Sequence, residues 1–335
     1  MTPIIEVRGL TKKFVKRLDL AGKIAHRLGA DIHEEVVHAV DQVSLCINPG
    51  EVVGLVGESG CGKSTLGRMI AGILPQTAGT VLLDGHDTAT MAGAESKAAA
   101  LAVQMIFQDP FASLNPRLRV EQIIGEAPLV HGYTDRAGLS DYIDDVMLKV
   151  GLDPSLKQRY PHQFSGGQRQ RIGIGRALAV KPRFLVCDEA IAALDVSIQA
   201  QVLNLFMDLR EQFDLTYLFI SHDLSVVEHI ADRIVIMYLG RVVESASTEA
   251  LFENPHHPYT QALLAEVPRL DQRKRDFTPV VGEIPSPLNP PSGCHFHPRC
   301  RHVMPVCKSD VPVLDMRENL RQVSCHLDGS ESDSS

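Results

Sequence analysis

The segment Gly57-Glu58-Ser59-Gly60-Cys61-Gly62-Lys63-Ser64-Thr65 is the most informative part of this chain of 335 residues. It matches the pattern G-x-x-x-x-G-K-[ST], follows an apolar strand predicted over Val52–Val56 and opens a helix predicted over Thr65–Ile73, as a phosphate-binding loop does. Its glycines let backbone N–H groups turn inward toward phosphate oxygens, and the helix N-terminus adds partial positive charge. We expect Lys63 to reach the β- and γ-phosphates of a nucleotide and Ser64 to ligate Mg²⁺.

Short apolar runs alternate with longer mixed segments on both sides of this loop. Each run is rich in Val, Ile, Leu, Phe or Tyr and ends at a polar residue or glycine, which is typical of a strand. Helical patterns such as Ile198–Phe213 separate the runs, which predicts an α/β fold with a mostly parallel sheet and helices on its faces. The predicted strands are Val52–Val56, Val103–Phe107, Phe184–Cys187, Tyr217–Ile220 and Ile234–Met237.

Two parts of the chain depart from this alternation. The first 50 residues and Thr80–Leu83 look like hairpin strands, so we expect an antiparallel part of the sheet. Strand signals fade between Phe111 and Val180, which predicts a helical insertion.

Charge and hydropathy exclude several classes of protein. With 33 basic and 41 acidic side chains, the net charge is −8, and without a basic block the chain is a poor candidate for unaided nucleic-acid binding. No uncharged apolar stretch reaches about 18 residues, so we predict no membrane span. The N-terminus carries Glu6 and Arg8 and has no apolar core typical of a signal peptide, so we expect the cytoplasm, where thiols stay reduced.

A second chemical motif follows the predicted strand at Phe184–Cys187. Asp188 and Glu189 lie 125 residues after Lys63 and precede a predicted helix. Asp188 is suited to hold Mg²⁺ through water, and Glu189 to polarise an attacking water. Alone, a strand that ends in solvated acids would be the simpler interpretation.

The run Ser165-Gly166-Gly167-Gln168 begins another predicted helix, 23 residues before Asp188. Free N–H groups, a hydroxyl and a positive helix end make it a second phosphate site. One nucleotide does not need two such sites from one chain, so the second site is expected to serve the nucleotide of a facing domain. Taken alone, the run would be interpreted first as a glycine-rich turn with a capping serine.

In this order, the motifs resemble the ATP-binding subunit of ABC transporters. Gln108 after a strand, the turn Ala193-Leu194-Asp195, and His222 after Tyr217–Ser221 complete the set. The resemblance implies a P-loop ABC nucleotide-binding domain with a RecA-like core, an antiparallel β subdomain and a helical subdomain. It implies an ATPase that uses ATP and Mg²⁺.

The resemblance also implies roles for single residues. Glu189 and His222 would support hydrolysis, with His222 at the γ-phosphate, and Gln108 would sense Mg²⁺ and a membrane partner. Asp195 would communicate across a dimer, and Phe14 would stack on adenine; a core histidine and a core aromatic are the alternatives for His222 and Phe14. Mg²⁺ would be held by Ser64, Gln108 and Asp188. The implied nucleotide contacts are Phe14, Gly57, Ser59, Gly60, Cys61, Gly62, Lys63, Ser64, Thr65, Gln108, Ser165, Gly166, Gly167, Gln168, Asp188 and Asp195.

Four further segments narrow the resemblance to oligopeptide and dipeptide importers. They are Gln108–Arg117, Ala193–Gln201, His257–Leu263 and Pro285–Cys294. A long spacer, Val15 to Val37, is similar to the F-type subunit. The family usually has proline after the catalytic glutamate, where this chain has Ala190; alanine relaxes the backbone there but removes no ligand.

The implied machinery has several other parts. We expect a paralogous ATPase subunit as the dimer partner, two transmembrane permease subunits, and an extracytoplasmic peptide-binding protein that acts indirectly. The chain would lie peripherally on the cytoplasmic face of the inner membrane. Import of nickel or glutathione by the same machinery, a non-transport ABC ATPase, and a metal-binding regulatory protein stay open as alternatives.

The composition changes after about residue 265. We predict a nucleotide-binding domain at 1–265 with its helical subdomain at about 111–180, an extension at 266–328, and a disordered tail at 329–335. Cys294, Cys300, Cys307 and Cys325 crowd into the extension. In a reducing cytoplasm they suit Zn²⁺ or a [4Fe–4S] cluster rather than disulfides. The chain lacks the tight C-x₂-C pairs of common zinc modules, which argues against a zinc site, and the resemblance favours an iron–sulfur cluster. Thiols that bind no metal are the alternative.

Overall fold

The computed structural model describes residues 2–16, 34–266, 282–317 and 321–327. The predicted tail at 329–335, most of the spacer between Val15 and Val37, and the start of the extension at 267–281 lie outside these ranges. The described strands are β1 (Ile5–Lys16), β2 (Glu35–Ile47), β3 (Val52–Val56), β4 (Ala78–Leu83), β5 (His86–Asp87), β6 (Val103–Ile106), β7 (Phe184–Asp188), β8 (Thr216–Ser221), β9 (Arg233–Tyr238), β10 (Arg241–Ser247), β11 (Asp315–Met316) and β12 (Gln322–Val323).

The described helices lie between these strands or cover the faces of the sheets. They are α1 (Lys63–Ile70), α2 (Gly93–Ala102), α3 (Val120–Val130), α4 (Leu139–Lys149), α5 (Gly166–Leu178), α6 (Val196–Phe213), α7 (Leu224–Ile230), α8 (Thr248–Glu253), α9 (Pro258–Ala265) and α10 (Val306–Ser309). Within the described ranges, no helix is both long and apolar enough to cross a membrane.

The larger sheet has the order β11-β12-β10-β9-β3-β8-β7-β6. Strands β9, β3, β8, β7 and β6 run parallel, and β10 pairs antiparallel with β9. Every residue of β3, β7 and β8 is buried, because helices cover both faces of the sheet. The α/β class predicted from the apolar runs is confirmed, and all five predicted strands lie in this sheet.

The hairpin strands form a separate sheet, in the order β2-β1-β4-β5, with antiparallel pairing throughout. Its inward side chains, such as Ile5 and Leu10, share one apolar cluster with Leu66 and Met69 of α1. This small sheet therefore packs against the helix that begins at the phosphate loop.

All regular elements between β6 and β7 are helices, as the sequence predicts for the segment from Phe111 to Val180. Helices α3, α4 and α5 pack against one another, with Gly125 and Gly175 facing side chains of the neighbouring helices. A Cβ atom on Gly125 would approach Ile143 Cδ1 to 2.8 Å. The helices share their apolar core with the larger sheet.

The extension completes the larger sheet. Strand β12 pairs with β10, with Val323 opposite Glu244. Phe296 is buried against Tyr238 of β9 and Tyr259 of α9, with ring centroids 5.2 and 5.4 Å away. The extension thus shares the core of the nucleotide-binding region.

Candidate functional site

The phosphate loop connects β3 to α1 at the carboxyl end of the parallel strands. Two of its glycines have no room for a side chain: a Cβ on Gly57 would lie 2.1 Å from Met237 O, and one on Gly62 would lie 2.1 Å from Ala39 O. Gly62 also has a φ of 105°, a conformation that glycine adopts readily. Close packing against neighbouring strands therefore fixes the path of the loop.

Lys63 is buried at the start of α1. Its Nζ donates hydrogen bonds to Gly57 O at 2.7 Å and to Glu58 O at 3.0 Å, so the ammonium lies inside the loop. A compact cation in this position is suited to the β- and γ-phosphates of a nucleotide.

Ser64 and Asp188 meet next to this lysine. Ser64 Oγ donates a hydrogen bond of 2.7 Å to Asp188 Oδ1. Burial raises the pKa of Asp188, while the Ser64 hydroxyl and the charge of Arg68 oppose that shift. A hydroxyl and a carboxyl oxygen in contact are a donor pair that suits Mg²⁺, whose charge would further favour the ionised carboxylate.

A second cluster is centred on Glu189, the residue after β7. Gln108 Nε2 donates to Glu189 Oε2 at 2.6 Å, and His222 Nδ1 lies 3.5 Å from Glu189 Oε1. Glu189 has a φ of 47°, which is uncommon for a residue with a side chain, and its N–H donates to Ile220 O. Three residues predicted from separate segments thus meet at the ends of neighbouring parallel strands.

The run that begins α5 is arranged as a helix cap. Ser165 Oγ accepts from the Gln168 N–H at 3.3 Å, and the Gln168 side chain accepts from the Ser165 N–H at 3.0 Å. Ser165 is exposed, and a Cβ on Gly167 would meet Ile198 Cγ2 at 2.5 Å. The hydrogen bonds of this cap do not reach the chain's own phosphate loop. Asp195, at the start of α6, is also exposed.

Phe14 lies near the end of β1 and is 41% exposed. Lys12 Nζ lies 5.2 Å from the centroid of its ring. The alternative that Phe14 is a core residue is therefore wrong, and an exposed ring is free to stack on a planar ligand.

The four cysteines of the extension line one cavity of about 10 Å³, together with His297, His302 and His326. Burial raises the pKa of the Cys294 thiol to about 11, against the effect of the Phe296 N–H. Across the described residues, however, no three His, Cys, Asp or Glu side chains are arranged to hold a metal ion. The donor atoms have the right number and kind for a cluster, but their arrangement does not support the predicted [4Fe–4S] site.

Sequence reasoning missed the contacts of Glu58, the second residue of the loop. Its N–H donates to Tyr259 Oη at 2.9 Å, and its carboxylate accepts two hydrogen bonds from Arg299. Both partners are more than 200 positions away in the sequence, so no local pattern could have paired them with the loop.

Comparison with known proteins agrees with this geometry. Residues 40–192 match the family model described as ABC transporter. Residues 243–307 match the model described as oligopeptide/dipeptide transporter, C-terminal region. The first region holds the phosphate loop, Gln108 and Glu189, and the second holds Tyr259, Arg299 and three of the four cysteines of the extension.

Similar proteins span nearly the whole chain. An oligopeptide transport ATP-binding protein, AppF, of Bacillus subtilis is 47% identical over 328 residues, which is 97% of each chain. A probable peptide ABC transporter ATP-binding protein of Sinorhizobium fredii is 50% identical, over 87% of this chain and 83% of that protein. The structure of cbiO1 from Clostridium perfringens, part of the cbiONQ ABC transporter complex, has a TM-score of 0.61 at 24% identity. It covers 76% of this chain and 92% of its own, so it has the same fold.

Proposed function

Because this chain belongs to the ATP-binding subunits of ABC transporters, we propose that it hydrolyses ATP to energise the import of peptides. The observation that carries this proposal is the meeting of Glu189 with Gln108 and His222 beside the pair of Ser64 and Asp188. The oligopeptide and dipeptide relatives, and the match of residues 243–307, support peptides as the substrate class.

Each residue of the site has a separate task in this proposal. Lys63 and the loop amides hold the phosphates, and Ser64, Asp188 and Gln108 hold Mg²⁺, which would neutralise phosphate charge when bound. Glu189 accepts a proton from the attacking water, because its carboxylate lies beside Gln108 and His222 at the edge of the sheet that carries the phosphate loop. Gln108 and His222 orient that carboxylate, and His222 contacts the γ-phosphate.

The exposed cap at Ser165 supports the proposal that two subunits share each nucleotide. In a closed dimer, the phosphate loop of one subunit would face the Ser165–Gln168 run and Asp195 of the other, and Phe14 would stack on adenine. We assign the partner to a paralogous subunit, docked with it on two permease subunits at the cytoplasmic face of the inner membrane. A peptide-binding protein on the opposite side would deliver the substrate.

Glu189→Gln tests the assigned chemistry, because glutamine keeps the size and the contact with Gln108 but cannot take up a proton. We expect ATP binding to persist, turnover to fall to background, and the protein to accumulate as a closed dimer with ATP. Asp145→Asn is the control: it also replaces one carboxylate with an amide, but on α4, and it should leave turnover unchanged. An unaltered ATPase rate in Glu189→Gln would refute the role of this residue.

Peptide import needs its own experiment, because ATPase activity alone does not identify a substrate. The wild-type chain should restore uptake of a labelled oligopeptide in cells that lack it, and Glu189→Gln should not. Uptake of Ni²⁺ or glutathione, with no effect on peptides, would favour the alternative substrates.

We also propose a structural metal centre in the extension, on the number and chemistry of the four thiols that line one cavity, with an iron–sulfur cluster as the first candidate and Zn²⁺ as the second. Besides the shared cavity, backbone N–H groups face the sulfurs of Cys294, Cys300 and Cys325, as they do around metal-bound thiolates. Protein purified without oxygen should contain iron and sulfide and should absorb visible light. Cys300→Ser should abolish this absorbance. Protein that contains zinc but no iron would identify the second candidate. Protein that contains neither metal would refute the proposed metal centre.

A further inference from the structure

Arg299 of the extension contacts the phosphate loop. Its side chain is 5% exposed, and its two terminal nitrogens lie 2.7 and 2.9 Å from the two carboxylate oxygens of Glu58. Glu58 follows the first glycine of the loop. A bidentate pair of this kind fixes both the position and the plane of the carboxylate.

Other contacts hold the same residue from the remaining sides. The Glu58 N–H donates to Tyr259 Oη, and its carbonyl accepts from Lys63 Nζ at 3.0 Å. Tyr238 Oη lies 3.4 Å from Arg299 Nη1, and Phe296 packs on both tyrosine rings. The backbone N–H and the carboxylate of Glu58 are thus both held by residues outside the loop.

We propose that Arg299 is a positioning residue for ATP binding, which acts by holding Glu58 so that the first half of the phosphate loop keeps its nucleotide-binding path. This inference rests on the ATPase function of the chain and goes beyond it, because the residue comes from the extension and touches no phosphate. It assigns the extension a direct part in the nucleotide site.

The burial of the pair supports positioning over stability as its main effect. A buried charge pair as a whole adds little net stability, because its desolvation costs about as much as the pairing regains, although removing one partner alone is destabilising. The loop has glycine at three of its nine positions, and because glycine restrains the backbone least, contacts to Glu58 add to the packing that fixes the path of the loop. Loss of Arg299 should therefore change affinity for ATP more than the rate of hydrolysis.

Four variants test the inference in the full-length chain: Arg299→Gln, Glu58→Gln, the double variant, and Tyr259→Phe. Arg299→Gln should raise Kd and KM for ATP about tenfold, the equivalent of about 1.4 kcal/mol, with kcat changed less than twofold. Glu58→Gln should act in the same direction. KM in the double variant should not exceed the higher KM of the two single variants, because both changes remove the same interaction. Tyr259→Phe, which removes only the acceptor for the Glu58 N–H, should raise KM by a smaller factor.

Arg233→Gln is the matched control. Arg233 pairs with Glu51 at 2.7 Å, with side chains 22% and 14% exposed, near the start of β3 and so at the other end of the strand from the loop. Arg233→Gln should lower the melting temperature about as much as Arg299→Gln does, but should leave KM for ATP unchanged. Lys63→Ala should abolish ATP binding; if it does not, the ATPase assignment itself fails.

Two results would overturn the inference. One is an unchanged KM in both Arg299→Gln and Glu58→Gln while Lys63→Ala abolishes binding. The other is additive effects in the double variant, which would show that the two residues act independently. If Arg299→Gln does not fold, Glu58→Gln and Tyr259→Phe decide the question, because glutamine and phenylalanine keep the size of the side chains that they replace.

Discussion

Arg321→Met should detach the end of the extension from the core, because it breaks the most buried ion pair among the described residues. Arg321 Nη1 lies 3.0 Å from Glu244 Oε1, and the two side chains are 7% and 0% exposed. Arg321 also donates to the carbonyl oxygens of Ala250 and Asn254, at the end of α8. One side chain therefore joins β10, α8 and the segment that carries β12.

The magnitude follows from what the variant leaves behind. Removing one partner of a buried pair costs about 3–5 kcal/mol, because the other charge stays buried without compensation. Glu244 keeps two hydrogen bonds, from the N–H groups of His256 and His257 at 3.0 and 2.9 Å. We therefore expect the free energy of unfolding to fall by about 3 kcal/mol, the lower end of that range.

Urea unfolding measures this loss, and limited proteolysis shows whether the extension is the part released. The double variant Glu244→Gln/Arg321→Met should recover part of the loss, because glutamine leaves no buried charge, although its single oxygen can accept only one of the two N–H groups. Lys149→Ala, which removes an exposed pair with Asp145 on α4, should cost about 0.5 kcal/mol. A loss below 1 kcal/mol in Arg321→Met, or no recovery in the double variant, would refute the reasoning.

Three further predictions concern the loop, the aromatic ring and a buried histidine. Gly62→Ala should abolish ATP binding in equilibrium titrations, because its Cβ would overlap Ala39 O; binding within threefold of wild type would contradict this steric argument. Phe14→Ala should weaken ATP binding about tenfold, the loss of one base–aromatic stack, whereas Phe14→Tyr should bind normally; equal affinities would exclude stacking. Burial lowers the pKa of His257 to about 3 from 6.5, so the unfolded chain binds the extra proton below pH 6.5. Its contribution to stability is complete above pH 6.5 and falls by about 1.4 kcal/mol per pH unit as the pH decreases toward 3. His257→Asn, which still caps the Tyr259 N–H, should show a shallower dependence in urea titrations from pH 7 to 5, and equal slopes would contradict the assignment.

The sequence predicts the core of the site well because its parts are local. The pattern from Gly57 to Thr65 specifies a strand, a turn and a helix, and each of the five apolar runs lies in a strand of the larger sheet. The contacts of Glu189 with Gln108 and His222 follow from topology: each residue lies at or just beyond the carboxyl end of one of the neighbouring strands β6, β7 and β8. Parallel strands bring such residues to one edge.

Exposure and long-range pairing are harder to predict. Phe14 has the same hydrophobic character as a core residue, and only its position near the end of β1 leaves it exposed. The pairs of Arg299 with Glu58 and of Arg321 with Glu244 join distant segments, and single charges in a sequence do not identify their partners. For the cysteines, spacing indicates a shared location but not the arrangement of four sulfurs around one centre.

The extension has few apolar residues of its own in the sequence. A short segment of this kind cannot stabilise an independent fold without cross-links or a partner. Here the nucleotide-binding region supplies what it lacks: β10 pairs with β12, the rings of Tyr238 and Tyr259 enclose Phe296, and Glu244 binds Arg321. The extension in turn supplies Arg299, which pairs with Glu58 of the phosphate loop. The same contacts that stabilise the extension therefore make the nucleotide site dependent on its integrity.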